Sequence, residues 1–311
     1  MVIGLFPGRL TIETNGNQFA QTISMSPTGR FRGKRYYPIM LTLLTNLNIR
    51  QKCISLVKNL FKSLGLGITS YTSLVNLQAV QPDNSRIDLD FILALPLSEV
   101  ARVVQLHEKS KSQLRQDLFV LLELDYKKEG YFVEFGATDG INLSNTYLLE
   151  KEFSWRGILA EPALIWREKL KENRPNAYIE EMCVWKESNQ SLLFNETKTS
   201  ELSTVDAYSD RDLHSKKRQS GNKYQVQTIS LNDLLEKYNA PTNIDYLSID
   251  TEGSEFEILN ALDFDKYSFR VITCEHNYSP QRELIYSLLV KNGYKRKFEN
   301  ISGWDDWYTK N

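Results

Sequence analysis

The stretch Gly130-Tyr-Phe-Val-Glu-Phe-Gly-Ala-Thr-Asp-Gly140 decides the fold. An apolar run broken only by Glu134 ends in two glycines, Gly136 and Gly140. A buried strand ends this way when its turn must bring backbone close to something else. Upstream, Leu114, Leu118, Leu121 and Leu122 recur at helical spacing as far as the polar run 125–130. Downstream, short apolar runs return at 157–160, 177–179, 246–249 and 271–274, separated by helical or loop segments. Strands alternating with helices must pair in parallel, because parallel neighbours need a crossover. The expected fold class is α/β: a doubly wound, mostly parallel, Rossmann-like sheet.

Such a sheet binds ligands at the carboxyl ends of its strands. A dinucleotide site there would show GxGxxG, placing a pyrophosphate on a helix N-terminus; here the loop is GxxxG and an acid, Glu134, precedes it. An acid repels phosphate and suits a cation. S-adenosylmethionine carries an ammonium and a sulfonium and no phosphate, so it fits these charges better than a nicotinamide cofactor. Glu161 closes the run Ile158-Leu159-Ala160, 21 residues beyond Gly140. An acid so placed can hydrogen-bond both ribose hydroxyls of an adenosine; the alternative is an exposed acid capping the helix after Pro162. The run Asp245-Tyr-Leu-Ser-Ile-Asp-Thr-Glu-Gly253 delivers Asp250 and Glu252 to the same edge, and the next run ends in Glu275-His276. Paired carboxylates can take a proton, hold a divalent cation or grip hydroxyls. A histidine, with its reference pKa near 6.5, suits a base that is neutral at about pH 7.

These motifs, with Leu143-Ser-Asn-Thr146, Trp155-Arg-Gly-Ile-Leu-Ala-Glu-Pro162, Asn173-Arg-Pro175 and Gly253-Ser254, together resemble the FkbM family of S-adenosylmethionine-dependent methyltransferases. The resemblance runs from about Ser112 to the C-terminus. It implies that Glu134, Gly136, Ala137, Asp139 and Gly140 line the methionine end of the cofactor, with Asn145 near it. It places Glu161 on the ribose beside Pro162, and Cys183 and Val184 by the adenine. Asp250, Glu252, Glu275 and His276 become the catalytic set, His276 or Asp250 as base and the two glutamates orienting the acceptor or a divalent ion such as magnesium. The acceptor class implied is a hydroxyl on a sugar, glycan or other natural product. Gln113, Gln116 and Asp117 match a stretch that precedes the first strand in many members.

The remainder of the chain sets limits. Of 311 residues 41% are hydrophobic and 25% charged, the make-up of a globular protein with ample core. Residues 1–82 hold nine Lys or Arg against Glu13 alone, and the rest twenty-nine against thirty-eight acids. Residues 1–50 read as a loop-like or weakly structured basic leader. Residues 51–111 read as a helical extension, with an amphipathic basic helix at 54–64 and a helix after Pro96 capped by Ser98 and carrying Val100, Val103, Val104 and His107 on one face. Residues 112–311 form the methyltransferase-like domain. The basic part could touch a membrane surface peripherally; an acidic body argues against nucleic acid as partner. The longest mainly apolar stretch, 36–49, falls short of the roughly 20 residues a bilayer needs, and the start lacks a secretory signal pattern, so a cytoplasmic protein is expected. Cys53, Cys183 and Cys274 are scattered, as reduced thiols would be. The polar stretch 195–222 reads as an inserted lid. Trp304, Asp305, Asp306 and Trp307 could either seat a sugar or close the core. Two other classes compete: a nicotinamide-dependent oxidoreductase, and a non-catalytic membrane or partner-binding module.

Overall fold

The computed structural model describes residues 85–197, 203–208, 218 and 220–310, together with three strands near the N-terminus. The chain forms two compact units, Met1–Asp83 and Asn84–Asn311. In the first, β1 (Val2–Phe6), β2 (Arg9–Glu13) and β3 (Gln21–Ser24) pair antiparallel in that order. Sequence predicts loop or weak structure there. Strands of four or five residues are too short to display a period, and only their register, Ile3 opposite Ile12 and Leu5 opposite Leu10, shows the match. The amphipathic segment 54–64 and Cys53 lie outside the described residues.

The second unit begins with α1 (Ser85–Ala94) and α2 (Leu97–His107). Both belong to the main body, which shifts the expected boundary at residue 112 back to 84. Phe91 explains this: its ring meets Trp307 edge-on at 6.1 Å and Phe298 at 6.2 Å, and Leu95 and Val103 join the same core. The expected Ser98 cap is absent. Helix α2 starts directly after Pro96, so Ser98 falls inside the first turn and bonds Glu99 instead.

Next come α3 (Gln116–Glu123), β4 (Tyr131–Phe135), α4 (Tyr147–Phe153), β5 (Arg156–Ala160), α5 (Arg167–Asn173), β6 (Tyr178–Glu180), β7 (Cys183–Trp185), β8 (Ser191–Glu196), β9 (Thr204–Val205) and β10 (Asn222–Ser230). The chain ends with α6 (Leu231–Lys237), β11 (Asn243–Ile249), α7 (Glu255–Asn260), β12 (Ser268–Glu275), α8 (Gln281–Lys291), β13 (Lys295–Lys297) and β14 (Asp305–Thr309). A seven-stranded sheet runs β13-β14-β12-β11-β4-β5-β6; β6, β5, β4, β11 and β12 are parallel, and β14 is antiparallel to both its neighbours. This is the expected doubly wound α/β sheet. Successive strand residues feed opposite cores: Val133 and Phe135 pack with Leu247, Ile258 and Leu289, whereas Phe132 packs with Phe119, Leu149 and Leu159. Strand order reverses between β4 and β11, which opens a crevice at their carboxyl ends.

A second sheet, β7-β10-β8-β9, stands beside the first. Sequence reading missed it because β7 and β9 are only three and two residues long, while the longer β8 and β10 are half solvated. β10 reads Asn-Lys-Tyr-Gln-Val-Gln-Thr-Ile-Ser and buries only alternate positions in its first part. Among the described residues no helix is long and apolar enough to cross a membrane. Cys183 and Cys274 are free and buried.

Candidate active site

The site begins with a backbone contact. Gly136 leaves β4 at φ 73°, and a Cβ placed there would lie 2.1 Å from the carbonyl oxygen of Asp250 at the end of β11. Only hydrogen fits, so the ends of β4 and β11 lie directly against each other. Around them opens a cavity of about 380 Å³. Glu134, Gly136 and Asn145 line one part of it, Glu161, Pro162, Cys183 and Val184 another, and Asp250, Glu252 and Glu275 a third.

Glu134 is buried, and its carboxylate accepts from the Asn145 backbone N–H at 2.7 Å, from Ser144 Oγ at 3.1 Å and from Thr146 Oγ1. Burial is the largest influence on its pKa and raises it, against the nearby Arg174 guanidinium. Glu134 therefore works chiefly on the protein, clamping the turn that carries Asn145. The Asn145 amide donates to Ser248 Oγ at 2.9 Å, while its Oδ1, buried on the cavity wall, accepts no hydrogen bond from the described residues. A buried acceptor left open is costly unless a ligand donor meets it.

Three expected members of this group stand back from the cavity. Ala137 is packed into the core; Asp139 spends its carboxylate on the backbone N–H groups of Ile141 (2.9 Å) and Asn142 (2.8 Å). Gly140 lies against Arg174, whose Cγ would stand 2.6 Å from an added Cβ. They shape the turn without lining the cavity, because a loop five residues long turns part of its side chains inward to close itself.

Glu161, directly after β5, has both oxygens held, one by the Thr138 N–H at 3.0 Å and the other by the Ala163 N–H at 2.8 Å. Burial pushes its pKa up to about 7. Across the cavity, burial likewise pushes Asp250 up to about 6 and Glu275 well above the usual carboxylate range, and oxygens of the two lie within 4.8 Å of each other. Asp250 repels a charge on Glu275, so the pair resists carrying two negative charges at once. Glu252 is neutralised differently: Arg218, fully buried, donates from Nη2 to Glu252 Oε2 at 2.8 Å, and Asn277 Nδ2 adds a bond at 3.3 Å. Oxygens of Asp250, Glu252 and Glu275 lie within 4.8 Å of one another, close enough for one divalent ion to touch all three.

His276 is a correction. Adjacent side chains leave a strand end in opposite directions, and the imidazole lines a neighbouring hollow of about 240 Å³. Its Nδ1 accepts from the Tyr278 N–H at 3.0 Å, and Nε2 stands 3.7 Å from Asp306. Burial holds its pKa below the ordinary 6.5 despite Asp306. The ring is neutral, its basic nitrogen is already occupied, and it is off the cavity.

Sequence reasoning left several cavity residues unassigned. Gln116 donates to Asp305 at 2.7 Å across a separation of 189 residues, and burial raises Asp305 to about 8. The Trp304–Trp307 cluster divides: Trp304 and Asp305 line the cavity, Trp307 stacks on Phe119 at 4.8 Å in the core, and Asp306 pairs with Arg282 and Arg296. Phe194 of β8, with Ser203 and Val205 from the polar insertion, closes the cavity from the second sheet. A contact made across so many residues leaves no local pattern to read.

A family model described as the methyltransferase FkbM domain matches residues 134–296, more than half of the chain. The chain belongs to the FkbM methyltransferase family. The FkbM match begins at Glu134 and includes both strand ends that build the crevice. No match was found among curated proteins. Solved structures similar to this FkbM domain include precorrin-6y C5,15-methyltransferase from Geobacter metallireducens, at 12% identity and a TM-score of 0.34, covering 58% of this chain and 72% of that one. A TehB-like S-adenosylmethionine-dependent methyltransferase from Corynebacterium glutamicum aligns at 12% identity and 0.31, covering 69% and 97%. The ribosomal protein L11 methylase of Lactobacillus delbrueckii subsp. bulgaricus aligns at 9% and 0.32, covering 64% and 81%.

The FkbM cavity fits S-adenosylmethionine by its own chemistry. It offers an open buried acceptor on Asn145, a strand-end carboxylate on Glu161, a weakly polar slot at Pro162, Cys183 and Val184, and acids opposite for positive charge.

The same acids set a pH dependence of stability. Asp250, Glu161 and Asp305 bind their protons at about 6, 7 and 8, against ordinary values of 3.8, 4.5 and 3.8. A raised pKa means the folded state binds the proton more tightly, so this stabilisation is complete below about pH 4 and is lost as pH rises through 6 to 8. Asp233, held low by hydrogen bonds from Ser188 and Ser230, acts in the opposite sense and loses its contribution as pH falls below its ordinary value. The melting temperature should therefore peak near pH 4 and fall by about ten degrees or more by pH 8.5, the three groups together contributing on the order of several kcal/mol. Differential scanning fluorimetry across that range reads it directly, and a flat profile would contradict the assignment.

Proposed function

We propose that this methyltransferase methylates a hydroxyl oxygen on a sugar, glycan or comparable natural product, with S-adenosylmethionine as donor. The reading is carried by the Asp250–Glu275 pair, a half-buried and a buried carboxylate whose oxygens lie within 4.8 Å of each other on the cavity wall. An aliphatic hydroxyl is too weak an acid to ionise before it reacts, so its proton must leave as the new bond forms. Asp250 is the ionised member of the pair and takes that proton. Burial and the charge of Asp250 raise the pKa of Glu275, so the pair's negative charge favours Asp250.

When bound, S-adenosylmethionine supplies a methyl carbon already activated by sulfonium charge. Glu161 would hold its ribose, Pro162, Cys183 and Val184 its adenine, and Asn145 Oδ1 with the Gly136 backbone its amino-acid end. Glu252, fixed by Arg218 and Asn277, orients the acceptor's hydroxyl groups.

A divalent ion on Asp250, Glu252 and Glu275 is a second reading, supported by their spacing. Arg218 argues for the first, since it already neutralises one of the three carboxylates. The test is to incubate the whole chain with methyl-labelled donor and a panel of glycosides, lipids and hydroxylated metabolites, in chelator and then with added magnesium. Label should enter a base-stable ether at a rate the chelator leaves unchanged. Dependence on magnesium would favour the ion, and label on nitrogen or carbon would end the hydroxyl reading.

A further inference from the structure

Tyr278 breaks two local rules at once. It is a large aromatic residue 66% exposed, and its backbone sits at φ 54° directly after Asn277 at φ 44°. Two consecutive non-glycine residues in the left-handed region are sterically costly, and such strain persists only where the surroundings impose it. Here they do. The N–H groups of His276 and Asn277 both donate to the Trp304 carbonyl, at 2.9 and 3.2 Å, the Ser279 N–H donates to the His276 carbonyl at 2.7 Å, and the Tyr278 N–H donates to His276 Nδ1. The Tyr278 ring meets the His276 ring edge-on at 5.4 Å. The effect of all these bonds is to hold an aromatic ring in solvent at the cavity edge, where Trp304 lines the same wall.

The position of this ring in the sheet says what it meets. Glu161 and Cys183 follow β5 and β6, whereas Tyr278 follows β12 on the far side of β4 and β11. From β5 to β12 is three strand spacings, about 14 Å at roughly 4.8 Å each. Tyr278 therefore stands beside Asp250, Glu252 and Glu275 and away from the nucleoside end. Its backbone neighbour Asn277 bonds Glu252. An exposed aromatic face next to fixed polar groups suits a ring that is apolar on one face and hydroxylated at its edge.

We infer that Tyr278, on the cavity that Trp304 also lines, is the seat of a hydroxylated sugar ring, whose C–H face lies on the tyrosine while its hydroxyl edge reaches Asn277, Glu252 and Asp250. The inference rests on the hydroxyl-acceptor reading above and adds the residues that seat the acceptor's ring. It also gives His276 a positioning part: the imidazole holds the Tyr278 loop and takes no substrate proton.

Saturation-transfer NMR on the whole chain tests it, using methyl glycosides of glucose, galactose, mannose and rhamnose with S-adenosylhomocysteine present. The wild type should pass saturation to ring C–H protons of at least one glycoside. Tyr278→Ala should weaken that binding about tenfold, while Tyr278→Phe and Tyr278→Trp hold it within about threefold. Because the side chain is exposed, the melting temperature and the S-adenosylhomocysteine affinity should stay near wild type. Undiminished glycoside binding by Tyr278→Ala, or no glycoside bound by the wild type, would overturn the seat. Equal labelling of an acyclic alcohol by wild type and Tyr278→Ala, without glycoside binding, would remove the seat and keep the hydroxyl chemistry. Labelled amine as the product would instead remove the chemistry.

Discussion

Asp250→Asn is expected to cut methyl transfer by about 10²–10⁴ while leaving S-adenosylhomocysteine affinity within about threefold, the range that loss of a positioned general base produces. Asparagine matches aspartate in shape and still accepts a hydrogen bond, so the wall of the cavity survives; what is lost is the ability to receive a proton. The wild-type pH profile should carry the same information. Asp250 titrates near 6 because burial outweighs the lowering influence of Glu275, with Glu255 and Glu134 adding repulsion. Only its ionised form serves as base, so turnover should fall tenfold per pH unit below about 6 and level off above. In Asp250→Asn that acid limb should vanish along with the rate. A limb that persists in the variant at undiminished height would assign the base to another group.

How far the site was legible follows from the physics of each part. Strands buried on both faces are written as plain apolar runs, so β4, β5, β11 and β12 could be read together with the acids that end them. Glu161 and the Asp250–Glu252 pair lay at those ends, and the structure brings all of them to one cavity. Adjacency misled at Glu275-His276, where chain neighbours look like one titratable unit but the two side chains diverge. It also hid the division within Trp304–Trp307. Alternation in β14 turns Asp305 and Trp307 toward α3 and Asp306 toward α8, so one short cluster supplies a cavity acid, a core indole and an ion-pair partner. Arg218 could not be found at all, since a buried arginine within a polar insertion has no local signature and acquires its role only when it meets Glu252.

Gly136→Ala tests the joint on which the crevice depends. The new methyl would have to occupy space 2.1 Å from the Asp250 carbonyl oxygen, and that oxygen belongs to backbone at the end of a central strand, which cannot swing aside like a side chain. The residue also sits at φ 73°, where an L side chain costs about 1–2 kcal/mol even in open space. Clash and conformation together should destabilise the fold by about 3 kcal/mol or more, a fall of roughly 6–12 °C in Tm for a body of this size. Gly293→Ala separates the two terms. Gly293 has φ 87° but its nearest neighbour would be Lys310 Cε at 3.6 Å, so only the conformational cost of about 1–2 kcal/mol applies there. If the variants melt alike, β4 and β11 can part without penalty and the close contact is not what holds the crevice. If Gly136→Ala melts much lower and its remaining folded fraction also loses S-adenosylhomocysteine binding, the clash has pushed Asp250 and the Gly136 turn apart, and one hydrogen atom at Gly136 is what permits the cofactor's cradle and the base to share a rim.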